Sequence, residues 1–287
     1  MQLKGVWLPI ITPFLDDEVD YQSYRIIVNH YIDKGVSGII PLGTTGEVST
    51  VLDYEFEKIV ETTVAVVDKR VPVLVGVGGN FTKKVLKTLK VAEKYDIQGI
   101  LSVCPYYNRP SQHGIFQHFL QISEATDLDI VIYNIPYRTG RNIENNTMLE
   151  LAALKNIVGV KDSCGDLKQT LHLLAHKPDN FSVLTGEDTL FYTTLVHGGD
   201  GGILAAAHLK TEQFLEVFRL VGANNHQAAL QEWWELAEFI PCLFEEPNPA
   251  PIKYCLKQQG LIASAETRLP ITAISAELQE VLDKYVS

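Results

Sequence analysis

Three stretches of this sequence carry side chains suited to carbonyl chemistry. Lys161 follows the apolar run Ile157-Val158-Gly159-Val160. Removal from water lowers the pKa of an amine, so more free base exists near neutral pH, and a neutral amine attacks a ketone to form an imine. The same placement suits a lysine whose stem packs while its head reaches water. Tyr133 ends another apolar run and opens Tyr133-Asn134-Ile135-Pro136-Tyr137-Arg138-Thr139-Gly140. A phenol there can move protons, and the Arg138 guanidinium offers a bidentate fork to a carboxylate. A tyrosine at a core rim beside a solvated arginine reads the same way. Gly43-Thr44-Thr45-Gly46-Glu47 sets two hydroxyls between two glycines. Its backbone N–H groups suit a carboxylate, and a plain turn with local threonine hydrogen bonds suits it too. Tyr106-Tyr107 reads as a packing or interface pair. The glycines of Thr185-Gly186-Glu187-Asp188 and Gly198–Ile203 let backbone approach a ligand or simply turn the chain.

These groups need elements to hold them. Short apolar runs recur at Val6–Ile10, Gly38–Leu42, Val71–Val77, Gly99–Val103, Asp129–Tyr133, Ile157–Lys161, Phe181–Leu184 and Gly202–Ala206. Most are continuous rather than alternating, as in parallel strands covered on both faces. Helical stretches fill most gaps. Tyr24, Ile27, Val28 and Tyr31 space one helical face within Tyr21–Lys34, and Thr50 with Asp53 suggests a capping box for a helix through Val67. The alternation predicts an α/β fold, a (β/α)8 TIM barrel, whose functional groups gather at the carboxyl ends of the strands. From about Thr211 the pattern is helical, over Thr211–Val221, Asn225–Ile240, Pro249–Gln259 and Ser275–Tyr285. The expected division is a barrel over 1–222 carrying the site and a C-terminal helical extension over 223–287.

Composition narrows the function. The 35 acidic against 24 basic residues give a net charge of −11, and no basic run offsets it. That argues against nucleic acid and anionic membranes as partners. No apolar run spans a bilayer, and the start carries no signal-like segment, so a cytoplasmic protein is expected. Cys104, Cys164, Cys242 and Cys255 form no CxxC pair, and His113 and His118 lie five apart on a helix, so no metal site is expected. Gly76-Val77-Gly78-Gly79 does not extend to a dinucleotide fingerprint, because Phe81 stands where its last glycine belongs.

Taken together, these segments resemble the dihydrodipicolinate synthase family of the N-acetylneuraminate lyase superfamily. The resemblance covers nearly the whole chain: GTTGE at Gly43–Glu47, PYYNRPSQHG at Pro105–Gly114, YNIPYRTG at Tyr133–Gly140 and GVKD at Gly159–Asp162, then TGED at Thr185–Asp188, GGDGGI at Gly198–Ile203, NPAPIK at Asn248–Lys253 and RLPIT at Arg268–Thr272. Order and spacing across so many segments are specific where no single one would be.

The resemblance implies a lyase that condenses pyruvate with L-aspartate 4-semialdehyde to 4-hydroxy-tetrahydrodipicolinate, on the route to diaminopimelate and lysine. It implies that Lys161 forms the Schiff base and that Tyr133 is the general acid/base. Thr45 would link Tyr133 to Tyr107 in a hydroxyl relay, with Tyr107 supplied by the neighbouring subunit of a tight dimer. Thr44 and Thr45 would hold the pyruvate carboxylate, Arg138 the carboxylate of the second substrate, and Gly186 and the Ile203 carbonyl would line the pocket near the lysine. A homotetramer built as a dimer of tight dimers is implied, as is the absence of any cofactor beyond the Schiff base itself.

The chain departs from the family pattern in places. Leu204-Ala205-Ala206-Ala207-His208 replaces a Ser-Val-x-Ala-Asn stretch, and Tyr137 stands where a small residue is usual. Both bear on the acceptor aldehyde and keep open another pyruvate aldolase, acting on a 2-keto-3-deoxy sugar acid or sialic acid; Thr44 argues against the sialic-acid branch. Members inhibited by lysine carry a carboxylate at the position of Lys84 and a histidine at that of Phe56, while Asn80 and Tyr106 are kept. A cationic Lys84 repels an ammonium, so weak or absent lysine feedback is expected.

Overall fold

The computed structural model describes residues 3–286. Residues 1, 2 and 287, at the outer ends of the two predicted parts, lie outside the described residues. Ten strands are present among them. They are β1 (Gly5–Leu8), β2 (Phe14–Leu15), β3 (Glu18–Val19), β4 (Gly38–Ile39), β5 (Leu74–Gly76), β6 (Gly99–Val103), β7 (Asp129–Asn134), β8 (Ile157–Asp162), β9 (Ser182–Thr185) and β10 (Gly201–Ile203). Strands β2 and β3 form a small antiparallel hairpin that the sequence pattern did not suggest. The other eight lie in one sheet, in the order β4-β1-β10-β9-β8-β7-β6-β5. Sequence neighbours are spatial neighbours, their ladders run parallel, and helices fill most connections, which is the (β/α)8 barrel fold. Helices Thr211–Gly222, His226–Phe239, Ala250–Gln258 and Ala276–Val286 follow.

Several ladders are shorter than their apolar runs, and proline is the reason. Pro9 ends β1, Pro41 follows β4, and Pro72 delays β5, because proline brings no N–H to a ladder. Beyond β10 the chain bends into a tight turn at Ala206–His208 instead of continuing extended. The helix Tyr21–Asp33 buries Tyr24, Ile27, Val28 and Tyr31, and Asp20 accepts from the amides of Gln22 and Ser23 at its start. The expected Thr50–Asp53 box does not form. Thr50 Oγ1 instead donates to the Glu47 carbonyl, and Glu55 accepts from the Leu52 amide at 2.8 Å, one half of a box shifted along the chain.

By contact density the chain forms two compact units. One comprises Leu74–Ile203 with residues 3–5; the other comprises Val6–Val73 and residues 204–286. In the first, β7 pairs with β8 through a register irregularity: Ile130 faces Ile157 and Val131 faces Gly159, so Val158 has no opposite number. Beyond it Tyr133 pairs directly with Lys161. In the second, the Gly43–Glu47 loop follows β4 and is held by residues of the C-terminal segment, Lys253 from the helix Ala250–Gln258 and Asn248 and Arg268 from the connections beside it.

Candidate active site

In the first unit Lys161 and Tyr133 sit opposite each other on adjacent strands, so their side chains share one face of the sheet. Both are buried. The Lys161 Nζ lies 4.4 Å from the centre of the Tyr133 ring. Burial pushes the Lys161 amine down to about 8; Asp188 and Glu187 oppose that shift, and the Arg138 charge adds to it. Burial also holds the Tyr133 phenol well above its usual range, reinforced by Tyr137 and countered by Arg138 and the Ser163 hydroxyl. The outcome is an amine that gives up its proton far more readily than an ordinary lysine, beside a phenol that keeps its own.

Gly186 gives the lysine its room. A Cβ there would come within 2.4 Å of Lys161 Cε and 2.5 Å of Ser163 Oγ. Any larger residue would therefore have to displace the lysine stem and the Ser163 hydroxyl. Ile203 is fully buried at the end of β10. Arg138 lies on a one-turn helix, Pro136–Thr139, which sequence periodicity is too short to reveal. Its side chain is exposed, its Nε donates to Tyr137 Oη at 3.1 Å, and its charge reaches both Lys161 and Tyr133. Tyr107 is 89% exposed with φ +70°.

Thr44 and Thr45 belong to the second unit. Thr45 is buried and Thr44 half-buried. The loop is tight: Glu47 N donates to the Thr44 carbonyl at 3.0 Å and Thr12 Oγ1 to the Gly46 carbonyl at 2.8 Å. The amides of Thr44 and Thr45 make no hydrogen bond among the described residues, which suits them to an anionic ligand. Glu47 has φ +51° and a fully buried carboxylate. That carboxylate pairs with Lys253, also fully buried, and accepts from the Arg268 amide at 3.2 Å. Arg268 in turn grips Glu55 with both guanidinium nitrogens at 2.7 Å.

His208 is part of the packing. It is buried, Nε2 accepts from the Ile11 amide at 3.3 Å, and Nδ1 lies 2.8 Å from the Ala205 carbonyl as its donor. Both ring nitrogens are occupied and burial lowers its pKa to about 4, so the neutral imidazole is locked in one tautomer. His118 is likewise buried, with Nδ1 2.9 Å from Thr82 Oγ1. Among the described residues no group of three or more His, Cys, Asp or Glu could hold a metal, and no helix is long and apolar enough to cross a membrane.

A sequence profile of the dihydrodipicolinate synthetase family matches residues 2–287. The chain belongs to that family. A relative from Clostridium acetobutylicum, named 4-hydroxy-tetrahydrodipicolinate synthase 2, is 57% identical over 286 residues and is covered, as this chain is, along 100% of its length. The crystal structure of dihydrodipicolinate synthase from Thermotoga maritima superposes with a TM-score of 0.97 at 38% identity, covering 100% of this chain and 98% of that one. A structure described as the first monomeric dihydrodipicolinate synthase variant gives 0.96 at 39% identity, over 99% of this chain and 95% of the other. Sequence reasoning gave no role to Ser163, Asp188, Asn248 or the Glu47–Lys253 pair, which the structure sets beside Lys161 or against the Gly43–Glu47 loop. Apart from Ser163 they stand in motifs that were visible, but a carboxylate 206 positions ahead of its lysine leaves no periodic signal.

Proposed function

We propose that the chain is a 4-hydroxy-tetrahydrodipicolinate synthase, a class I aldolase that condenses pyruvate with L-aspartate 4-semialdehyde in lysine biosynthesis. The observation that carries the chemistry is the buried, pKa-depressed Lys161 against Tyr133. With a pKa of about 8, about a tenth of the amine is free base at pH 7, against well under a thousandth for an ordinary lysine.

In this reading the Lys161 amine adds to C2 of pyruvate and the carbonyl oxygen leaves as water. The protonated imine draws electrons from the methyl group, which loses a proton to give an enamine. The enamine carbon bonds to the aldehyde carbon of the second substrate. The amino group of that substrate then displaces Lys161 by transimination, closing the ring and freeing the enzyme. Tyr133 supplies protons, for which a phenol held protonated is suited, and it takes one back only after it has given its own. Thr45 and Tyr107 complete the hydroxyl relay, with Tyr107 given by a neighbouring subunit. Thr44 and Thr45 take the pyruvate carboxylate, and Arg138 takes that of the semialdehyde. Gly186 and the Ile203 carbonyl line the lysine pocket. No cofactor or metal enters. We place the enzyme in the cytoplasm as a homotetramer of tight dimers, and the exposed Tyr107 supports an intersubunit role. The role of His208 in packing weighs against a sugar-acid acceptor, since neither ring nitrogen is free to meet one.

Intact mass after pyruvate and borohydride tests this directly, with Lys161→Ala alongside and semialdehyde turnover followed. A reduced pyruvyl adduct on wild type only, with turnover, is expected. An adduct without semialdehyde turnover would reject the acceptor; no adduct would reject the mechanism.

A further inference from the structure

The C-terminal segment reaches the Gly43–Glu47 loop in several ways, and one of them ends on a hydroxyl rather than on the loop's frame. Asn248 is buried, and its Nδ2 donates to Thr45 Oγ1 at 3.0 Å. The Asn248 Oδ1 is buried without a hydrogen-bond partner among the described residues. An amide with an orphan oxygen is a costly way to fill a buried position, and an apolar side chain would fill it without that cost. The loop's shape, moreover, has other supports: the Lys253–Glu47 pair, the Arg268 amide on Glu47, and Thr12 on Gly46. What Asn248 adds is the bond to Thr45.

A hydroxyl has one proton and two acceptor positions. Taking an N–H from Asn248 occupies an acceptor position, leaves the Thr45 proton to be given onward, and strengthens that donation. We infer that Asn248 is a positioning residue for the reaction: it holds the Thr45 hydroxyl rotor so that its proton points away from the C-terminal segment, giving the relay one hydrogen-bond sense. This rests on the Schiff-base reading, in which Thr45 belongs to a proton relay. Asn248 acts only through Thr45 and has no contact with the reacting atoms.

The test compares wild type, Asn248→Asp, Asn248→Ala, Thr45→Val and the double variant Thr45→Val/Asn248→Ala. For each, the rate of pyruvyl adduct formation under borohydride and the KM for pyruvate are measured, with thermal unfolding to verify the fold. Asn248→Asp keeps the shape and loses the donor, so it decides the matter if the alanine variant does not fold. Both Asn248 variants are expected to form the adduct at least about tenfold more slowly, with KM moved far less. The double variant is expected to be no slower than Thr45→Val alone, because the effect passes through that hydroxyl. A wild-type rate in Asn248→Asp, or losses that multiply in the double variant, would overturn the positioning role while leaving the Schiff base in place. No adduct on wild type would overturn the function itself, and this role with it.

Discussion

Two buried lysines, one in each compact unit, have environments of the same kind and unlike partners. Burial pushes both amines down to about 8. Each lies over an aromatic ring, Lys161 at 4.4 Å from Tyr133 and Lys253 at 4.1 Å from Phe14. They differ in partners. Lys253 pairs with the Glu47 carboxylate and donates to the Glu266 carbonyl at 2.8 Å, so its protons are spoken for. Lys161 has no hydrogen bond or ion pair among the described residues; Asp188 and Glu187 act on it only through their fields. A lowered pKa therefore does not mark a nucleophile. An unpaired amine is the better candidate, which in the proposed reading is Lys161, while the paired Lys253 braces the loop that carries Thr44 and Thr45.

The widest separation between the two is expected from Lys161→Ala, which should lower turnover by about 10³-fold or more and remove the pyruvyl adduct while thermal unfolding stays close to wild type. Adduct found on Lys253 instead would invert the comparison. Lys253→Met should do the reverse. It leaves the Glu47 carboxylate buried and unpaired, at a cost of about 3–5 kcal/mol in denaturant unfolding, and adding Glu47→Gln should recover part of it. A methionine variant of wild-type stability would show that the pair is not a strut. Tyr133→Phe should slow adduct formation by about 10²-fold with little change in stability, since only a proton donor is lost. The pH dependence sharpens the contrast further. Wild-type adduct formation should rise with pH and level off above about 8, as the Lys161 ammonium gives up its proton; a flat profile from pH 6 to 9 would contradict the depressed amine. The smallest effect belongs to Glu55, whose carboxyl is held below its usual range first by the Arg268 hydrogen bond. Its folded pKa is below its unfolded one, so its contribution is present above the unfolded value and is lost as pH falls through the folded one. Glu55→Gln should flatten the acid limb of the stability profile, and an unchanged limb would remove Arg268 from the support of the loop.

Much of this was legible in the sequence because it rests on local patterns. Continuous Val/Ile runs announced eight parallel strands, and Lys161 and Tyr133 stand near the ends of two of them, where barrel enzymes keep their chemistry. The turns of the helix Tyr21–Asp33 were visible in its apolar spacing. What escaped depended on distant partners or on lengths below a full period. Pro136–Thr139 is a single turn, and the hairpin Phe14–Val19 has two-residue strands. The His208 departure kept a sugar-acid acceptor open, because the sequence cannot show that Ile11, far away along the chain, occupies its second nitrogen. Thr50 looked like a helix cap because spacing cannot show that its hydroxyl turns back to Glu47.

The irregularity between β7 and β8 carries a consequence about insertions and deletions. Upstream of it an even-numbered residue, Ile130, faces an odd-numbered one, Ile157; downstream, odd faces odd, as Tyr133 faces Lys161. Loss of the unmatched Val158 would regularise the ladder and leave Tyr133 and Lys161 in phase. A residue gained or lost between Gly159 and Lys161 would instead turn the amine to the opposite side of the sheet, away from the phenol. The strand thus divides into a stretch where length can drift and a stretch of two residue steps where it cannot, and the boundary falls at the glycine.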